Sequence, residues 1–308
     1  MKRHVAVSVI ACFLLDFYGC GKPMNISSLS IGEDYCQPNT YYENKNLKRF
    51  SQEEVTRLQS QLNHYTPHNL YTANAAGILP LLLQMGSIDT SNTSQKNALQ
   101  LKALLAIQQL NEEIDGVAAT LDCEGEKTDQ VANYLDNINQ KRNNQLTITS
   151  IIVGALTTIA TVAIQKNSVQ NTVAIGGGIL GGGIAALMIN PAGKKIKWPQ
   201  NKNLLGSVWY ADNAANMIPS AIWYMLNEKS FSNSQKISLI ESIKKRWMTI
   251  NFQDDLSPED ENKFFKNGGT FTSEDLHLRA NMLNELQATV RSLHQDLASL
   301  TNNISQMN

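Results

Sequence analysis

Two apolar runs separated by a short polar stretch dominate the hydropathy pattern of this chain. Residues 147–164 and 172–189 contain no charged side chain, and residues 165–171 divide them. A helix of about 18 residues is about 27 Å long, which is close to the thickness of the hydrocarbon core of a bilayer. The pattern therefore predicts a hydrophobic helical hairpin, residues 147–190, that crosses a membrane and returns.

Glycine is concentrated in the second run, at residues 176–178 and 181–183. Each glycine costs an aqueous helix about 1 kcal/mol relative to alanine, but in lipid the backbone must satisfy its own hydrogen bonds and stays helical. Glycines four residues apart let membrane helices approach closely, so we expect a contact surface formed by Gly154, Gly177, Gly178, Gly181 and Gly182. The alternative is a glycine-rich hairpin buried inside a soluble helical bundle.

Two other stretches repeat apolar residues in alternating steps of four and three, which is typical of a helix packed along another helix. Gly125, between two glutamates, interrupts the first of these seams and indicates a break or a turn. Pairing of the two seams within one chain is the favoured interpretation, and oligomerisation through them is the alternative. The first seam comprises Ala103, Ile107, Leu110, Ile114, Val117, Leu121, Val131, Leu135 and Ile138, and the second Leu283, Leu286, Val290, Leu293, Leu297, Leu300 and Ile304.

Local signals place the remaining helices. A capping box from Ser51 to Glu54 predicts a helix that runs to about His64 and is stopped by Pro67. Pro80, with Gly77 before it, is expected to kink or divide the apolar patch at residues 75–85, which is too short to span a membrane.

Further signals lie nearer the C-terminus. Pro258 follows Ser257 at a predicted helix start, residues 268–269 are expected to form a turn, and Thr272 or Ser273 is expected to cap the last helix. Aromatic residues at 209, 223, 224 and 247 are expected to belong to a helical core.

The N-terminus carries an export signal. Three basic residues precede an apolar run at residues 5–15, which is the layout of a signal peptide. Gly19 and Cys20 then resemble the end of the lipobox of bacterial lipoproteins, although Phe17 replaces the usual leucine. The resemblance implies lipidation of Cys20, and Gly21 after it implies sorting to the outer membrane of a Gram-negative bacterium. An ordinary secretory signal is the alternative.

Two cysteines remain after removal of the signal and lipidation of Cys20. An even number of cysteines in an oxidising compartment favours pairing, so Cys36 and Cys123 are expected to form one disulfide. Two free buried thiols are the alternative. Cysteine spacing gives no indication of a zinc site.

These patterns together predict an all-α fold, with long coiled-coil-like helices flanking a hydrophobic helical hairpin, plus a small helical domain. The expected divisions are a signal peptide (1–19), a lipidated tether (20–48), an N-terminal helical region with a heptad stalk (49–146), the hairpin (147–190), a helical domain (191–270) and a C-terminal heptad helix (271–308).

Basic residues flank the hairpin at both ends. Lysine pairs with lipid phosphates and tryptophan prefers headgroup depth, so the segment that follows the hairpin is expected to anchor it at the interface, through Lys194, Lys195, Lys197 and Trp198. Lys141 and Arg142 flank its other end. Positive flanks normally lie in the cytoplasm, which an exported lipoprotein does not reach. The hairpin is therefore expected to insert after export, into the outer membrane or a foreign membrane.

The overall composition excludes some functions. The chain has 26 Lys plus Arg against 27 Asp plus Glu, so a nucleic-acid partner is not indicated. No catalytic motif, metal-ligand spacing or cofactor fingerprint is present, so we expect neither an enzyme nor a cofactor.

Three functions fit these patterns. The first is a lipid-anchored envelope protein whose hairpins build a structural or channel-like assembly, with membrane lipid and its own copies or other envelope proteins as partners. The layout resembles plasmid surface-exclusion lipoproteins and glycine-zipper envelope lipoproteins. The second is an α-helical pore-forming toxin, a class in which long helices bear an apolar hairpin. The third is a soluble periplasmic scaffold with a buried hairpin.

Overall fold

The protein is predominantly α-helical in a computed structural model that describes residues 23–29, 36, 49–88, 92–163 and 193–306, without the side chains of residues 159–163. The helices are α1 (Gln52–Leu58), α2 (Pro67–Ala75), α3 (Leu79–Ser87), α4 (Thr93–Ala163), α5 (Leu204–Tyr210), α6 (Ser220–Asn227), α7 (Leu239–Arg246), α8 (Pro258–Phe265) and α9 (Ser273–Ser305). Short strands β1 (Met24–Asn25), β2 (Ile196–Pro199) and β3 (Gly268–Phe271) form one sheet in that order. The expected all-α class is confirmed.

The first helix begins as expected and ends early. The Ser51 hydroxyl accepts from the Glu54 amide, and the Glu54 carboxylate accepts from the Ser51 amide. Helix α1 ends at Leu58 rather than near His64, and Pro67 opens α2 instead of stopping α1. Proline suits this position because the first amides of a helix have no intrahelical partner.

Glycine and proline divide the next apolar patch. Helix α2 ends at Ala75, Gly77 takes a positive φ of 68°, and Pro80 lies in the first turn of α3. A positive φ is strained for a residue with a Cβ, so Gly77 provides the turn between the two helices. The expectation that Pro80 kinks or divides this patch is confirmed.

The long helix α4 has no break at Gly125, so the expected interruption is wrong. A Cβ on Gly125 would lie 2.7 Å from Asn284 Oδ1 of α9, which is the end of a side chain that can shift. One glycine costs a helix only about 1 kcal/mol relative to alanine, and the 71-residue helix continues through it.

Contacts within the chain divide it into two compact units. Unit 1 comprises the described residues within 1–30, 130–198 and 270–276, and unit 2 those within 31–129, 199–269 and 277–308. In unit 2, α9 runs antiparallel to α4. Gln100 Nε2 donates to Ile304 O at 2.9 Å, while Asp129 Oδ1 lies 2.8 Å from His277 Nδ1.

The α9 seam and the first part of the α4 seam are buried in unit 2, whereas Val131 and Leu135 are buried in unit 1 and Ile138 is half-buried there. From Ala103 to Leu121 every seam residue of α4 is at most 3% exposed, and the α9 seam from Leu283 to Ile304 is at most 1% exposed. The favoured interpretation, pairing of the seams within one chain, is therefore confirmed.

Thr272 caps α9 by accepting from the Asp275 amide, which decides between the two candidate caps.

Aromatic rings form a second buried cluster in unit 2. Trp209 stacks on Phe265 with ring centroids 4.3 Å apart, and Trp247 lies 5.9 Å from the same ring. Trp247 is fully buried and its Nε1 donates to Glu285 Oε2 at 2.8 Å. Trp247 therefore belongs to the core as expected, whereas Trp209, Trp223 and Tyr224 are only half-buried.

Unit 1 contains the strand pair β1–β2. The strands are parallel, with Met24 opposite Ile196, and the Met24 amide donates to Lys195 O at 2.9 Å. The segment at residues 268–269, expected to form a turn, instead begins β3, where Gly268 has a φ of 78°. The isolated glycine pair gave no periodic signal from which a four-residue strand could be recognised.

Candidate functional site

The distal part of α4, in unit 1, presents an apolar face to solvent. Leu146 is buried, but from Thr147 to Thr158, the last α4 residue whose side chain is described, no side chain is buried. Residues at positions i, i+3, i+4 and i+8 share one side of a helix. Here they are Ile148, Ile151, Ile152 and Leu156, which are between 52% and 65% exposed and which we name the apolar face.

The hydroxyl groups beside the apolar face donate hydrogen bonds to their own helix. The described segment from Thr147 to Thr158 has no charged residue and five hydroxyls. Each hydroxyl donates to a backbone carbonyl one turn earlier, at distances of 2.8–3.0 Å. A hydroxyl paired in this way costs less to transfer into lipid than one without a partner. The donors are Thr147, Thr149, Ser150, Thr157 and Thr158.

Within the described residues, the structure contains no helix with both the length and the apolar character needed to cross a membrane. The last side chains of the first apolar run and the whole second run lie outside what is described. Gly177, Gly178, Gly181 and Gly182 therefore remain predictions. Gly154 is described, and no described residue outside its own helix lies within 4 Å of the position a Cβ would take. Its predicted contact with the second run stays a prediction.

The chain returns to α4 just before the apolar face. The Lys194 amide donates to Asn139 Oδ1 at 2.7 Å, and Gly193 also lies against the Asn139 side chain. Lys194 lies two residues before the start of β2, and Asn139 lies two residues before Lys141. This contact therefore brings the start of β2 close to Lys141. Three exposed lysines lie on these segments, Lys141, Lys195 and Lys197, and we name them the basic collar.

One expected interface anchor has a different role. Trp198 lies in β2 with only 5% of its side chain exposed. Alternate residues of a strand point to opposite faces, so Ile196 and Trp198 are buried while Lys195 and Lys197 are exposed. In this structure the indole belongs to the protein interior, and only the lysines remain available to a membrane surface.

The two candidate cysteines are joined. Cys36 and Cys123 form a disulfide within unit 2, with their Cα atoms 5.5 Å apart and 87 residues apart in sequence. In the chain-entropy model a loop of this length stabilises the fold by about 4–5 kcal/mol. Cys20, the predicted lipidation site, lies outside the described residues.

A buried arginine in unit 2 was not found by sequence reasoning. Arg279 of α9 is 3% exposed, and its terminal nitrogens donate to Phe264 O at 3.1 Å and to Gln200 Oε1 at 2.9 Å. Burial lowers the pKa of Arg279 to about 10, and nearby Glu124 opposes this shift. The guanidinium therefore stays charged at neutral pH and its acceptors are supplied by the protein, which indicates a structural role.

Histidine side chains in unit 2 also have structural partners. His68 Nε2 lies 2.7 Å from Asp296 Oδ1, and His294 Nδ1 lies 2.7 Å from Asn111 Oδ1. The hydrogen bond with Asp296 raises the pKa of His68 against the opposing effect of burial. In the part of the chain that the structure describes, no three His, Cys, Asp or Glu side chains form a group that could hold a metal ion.

Comparison with protein-family models, with curated proteins and with solved structures finds no significant match to this chain. The apolar face of α4 is therefore the feature on which a functional proposal rests.

Proposed function

We propose that this chain is a lipid-anchored protein of the bacterial cell envelope that inserts its glycine-rich hairpin into a membrane. It acts there as a structural or channel-like helical assembly. The observation that carries the proposal is the exposed apolar face at Ile148, Ile151, Ile152 and Leu156, on a helix segment without charge.

The free energy favours transfer of this face out of water. Full burial of one Ile or Leu side chain contributes about 1.5–3 kcal/mol. Because these four side chains are 52–65% exposed, they supply roughly 3–7 kcal/mol if they become buried. The intrahelical hydroxyl bonds keep the opposing polar cost small. A soluble scaffold with a buried hairpin would cover these side chains, and their exposure therefore favours the membrane proposal over the scaffold.

A double substitution on the apolar face tests the proposal. Ile152→Asp with Leu156→Asp places two carboxylates four residues apart in the segment proposed to enter lipid. Each carboxylate costs about 2.5–3.5 kcal/mol at the centre of a membrane helix. We expect the vesicle partition coefficient of the signal-free Cys20→Ser chain to fall by at least about a hundredfold, measured by flotation with anionic liposomes.

The same helix offers a matched control. Leu101 and Leu105 are also four residues apart and are 59% and 57% exposed. Leu101→Asp with Leu105→Asp changes charge and hydropathy equally, but outside the proposed membrane segment. Partition should then remain at the wild-type value. Equal partition of wild type and the Ile152→Asp, Leu156→Asp variant would show that the apolar face does not enter lipid.

The second candidate is an α-helical pore-forming protein. It is favoured by the packing of both long seams within one chain, which is the soluble arrangement expected of a protein whose apolar hairpin inserts later. Dye release from the same liposomes distinguishes the two functions. Release that depends on Ile152 and Leu156 indicates a pore, whereas binding without release indicates an anchored structural assembly.

A further inference from the structure

Strand β1 is linked by hydrogen bonds to α4 at Asn139, nine residues before the first residue of the apolar face. Met24 pairs with Ile196 in the β1–β2 ladder, and the Met24 amide donates to Lys195 O at 2.9 Å. The adjacent Lys194 amide donates to Asn139 Oδ1 of α4 at 2.7 Å. Two hydrogen-bonded connections therefore join β1, through β2, to one turn of α4, and all of these residues belong to unit 1.

Chain length limits how far the predicted lipid lies from that turn. Cys20 is four residues before Met24, and four extended residues reach at most about 14 Å. Asn139 is nine residues before Ile148, which is a rise of about 14 Å along a helix. The predicted attachment point of the acyl chain therefore lies within about 14 Å of Met24, a reach similar to the rise from Asn139 to the first residue of the apolar face.

The positions of three exposed lysines indicate where along α4 a membrane surface would lie. The basic collar of Lys141, Lys195 and Lys197 is exposed, and Lys141 precedes Ile148 by seven residues. Seven residues correspond to about 10 Å along the helix, and lysines at this distance from an apolar segment match anionic headgroups beside a hydrocarbon core.

We infer that the acyl chain on Cys20 and the apolar face of α4 enter the same bilayer, with the basic collar against its anionic headgroups. The inference rests on the proposed function and adds to it which membrane the hairpin enters. Insertion after export into the outer membrane or into a foreign membrane was equally compatible with the sequence. The short attachment of β1 to the base of the apolar segment selects the membrane that already holds the lipid anchor.

The test uses the full mature lipoprotein reconstituted in liposomes of phosphatidylcholine and phosphatidylglycerol. Ile152→Cys is labelled with the environment-sensitive fluorophore NBD under non-reducing conditions, where the Cys36–Cys123 disulfide does not react. Nitroxide lipids are placed either in the host vesicles or in added protein-free vesicles. Because Ile152 is exposed, the substitution leaves the core intact.

We expect blue-shifted emission that falls at least twofold with nitroxide in the host vesicles and is unchanged by nitroxide in added vesicles. Quenching by added vesicles, alone or together with host quenching, would overturn the inference while leaving membrane insertion intact. Emission typical of water with no quenching in either case would contradict the proposed function itself, and with it the inference.

A control position on the same helix tests the level of the membrane surface. Asn137 is exposed and lies before the basic collar. NBD on Asn137→Cys should show the emission typical of water and should not be quenched by nitroxide lipids in either set of vesicles. NBD on Leu156→Cys should be quenched more strongly by deeply placed nitroxides than NBD on Ile148→Cys, because eight residues separate these positions by about 12 Å. Strong quenching at residue 137, or the reverse depth order, would contradict the placement of the collar at the headgroups.

Discussion

Two segments of the same helix differ in the burial of their apolar residues. Between Ala103 and Leu121, in unit 2, the apolar seam of α4 is buried beneath α9. Between Ile148 and Leu156, in unit 1, the apolar residues are exposed. Apolar spacing alone therefore does not determine whether a helical stripe is a packing surface; the presence of a complementary helix does.

The polar contacts of the two segments also differ, although the Thr120 hydroxyl of the first segment donates to its own helix as well. In the first, side chains reach across to α9, as His294 does to Asn111 and Gln100 to the Ile304 carbonyl. In the second, every described hydroxyl between 147 and 158 donates to its own helix. A segment that satisfies its polar groups internally is suited to a surrounding that offers no hydrogen bonds.

The largest expected contrast comes from truncating one leucine in each segment. Leu110→Ala removes a buried seam residue and should lower the free energy of unfolding by about 2–5 kcal/mol, because it leaves a cavity. Leu156→Ala removes an exposed side chain and should change it by less than about 0.5 kcal/mol. Urea denaturation followed by circular dichroism measures both. A similar loss at both sites would show that the distal face is packed in solution.

A second contrast compares two helical glycines. A Cβ at Gly206 of α5 would overlap the Phe265 carbonyl oxygen at the end of α8, so Gly206→Ala should destabilise unit 2 by about 1–3 kcal/mol. Gly154 meets no described residue outside its helix, so Gly154→Ala should stabilise the distal helix locally by up to about 1 kcal/mol. Urea denaturation measures the first effect and amide hydrogen exchange near residue 154 the second. An unchanged free energy of unfolding in Gly206→Ala, or faster exchange near residue 154 in Gly154→Ala, would contradict this contrast.

The smallest expected effect is a pH dependence that arises in unit 2, at a contact between α2 and α9. The hydrogen bond between His68 and Asp296 raises the pKa of His68 in the folded state. Its stabilisation is therefore complete below the unfolded pKa of about 6.5 and is lost as the pH rises through the higher folded pKa. We expect the free energy of unfolding to decline over this window, and His68→Gln or Asp296→Asn to remove that decline. An unaltered pH profile in both variants would exclude the pair as its source.

Parts of this structure could be predicted because they depend on neighbouring residues. The capping box at Ser51 needs only a partner three residues away, and the start of the last helix was predicted to within one residue, at Thr272 or Ser273. The seam on α9 was visible because its period persists over many turns. The same logic identified the apolar segment after residue 146, although its exposure could not be obtained from hydropathy.

Other features could not be predicted because they depend on distant residues. Gly125 was expected to break the helix, but α4 continues through it, packed beside Asn284 of α9. Trp198 was expected at a membrane surface, and its position in β2 buries it. Arg279 gave no signal at all, because its acceptors at Gln200 and Phe264 are brought together only by folding.

The sequence by itself determined the helical class, the starts of several helices, the two seams and the position of the apolar segment, because period and capping act within a few turns. Tertiary structure alone decided that the seams pair within one chain, that α4 is unbroken and that the apolar face lacks a cover among the described residues. It also decided that β1 and β2 attach the N-terminal segment beside Asn139. These outcomes depend on which surfaces meet, since burial and hydrogen bonding between distant residues are properties of the folded chain.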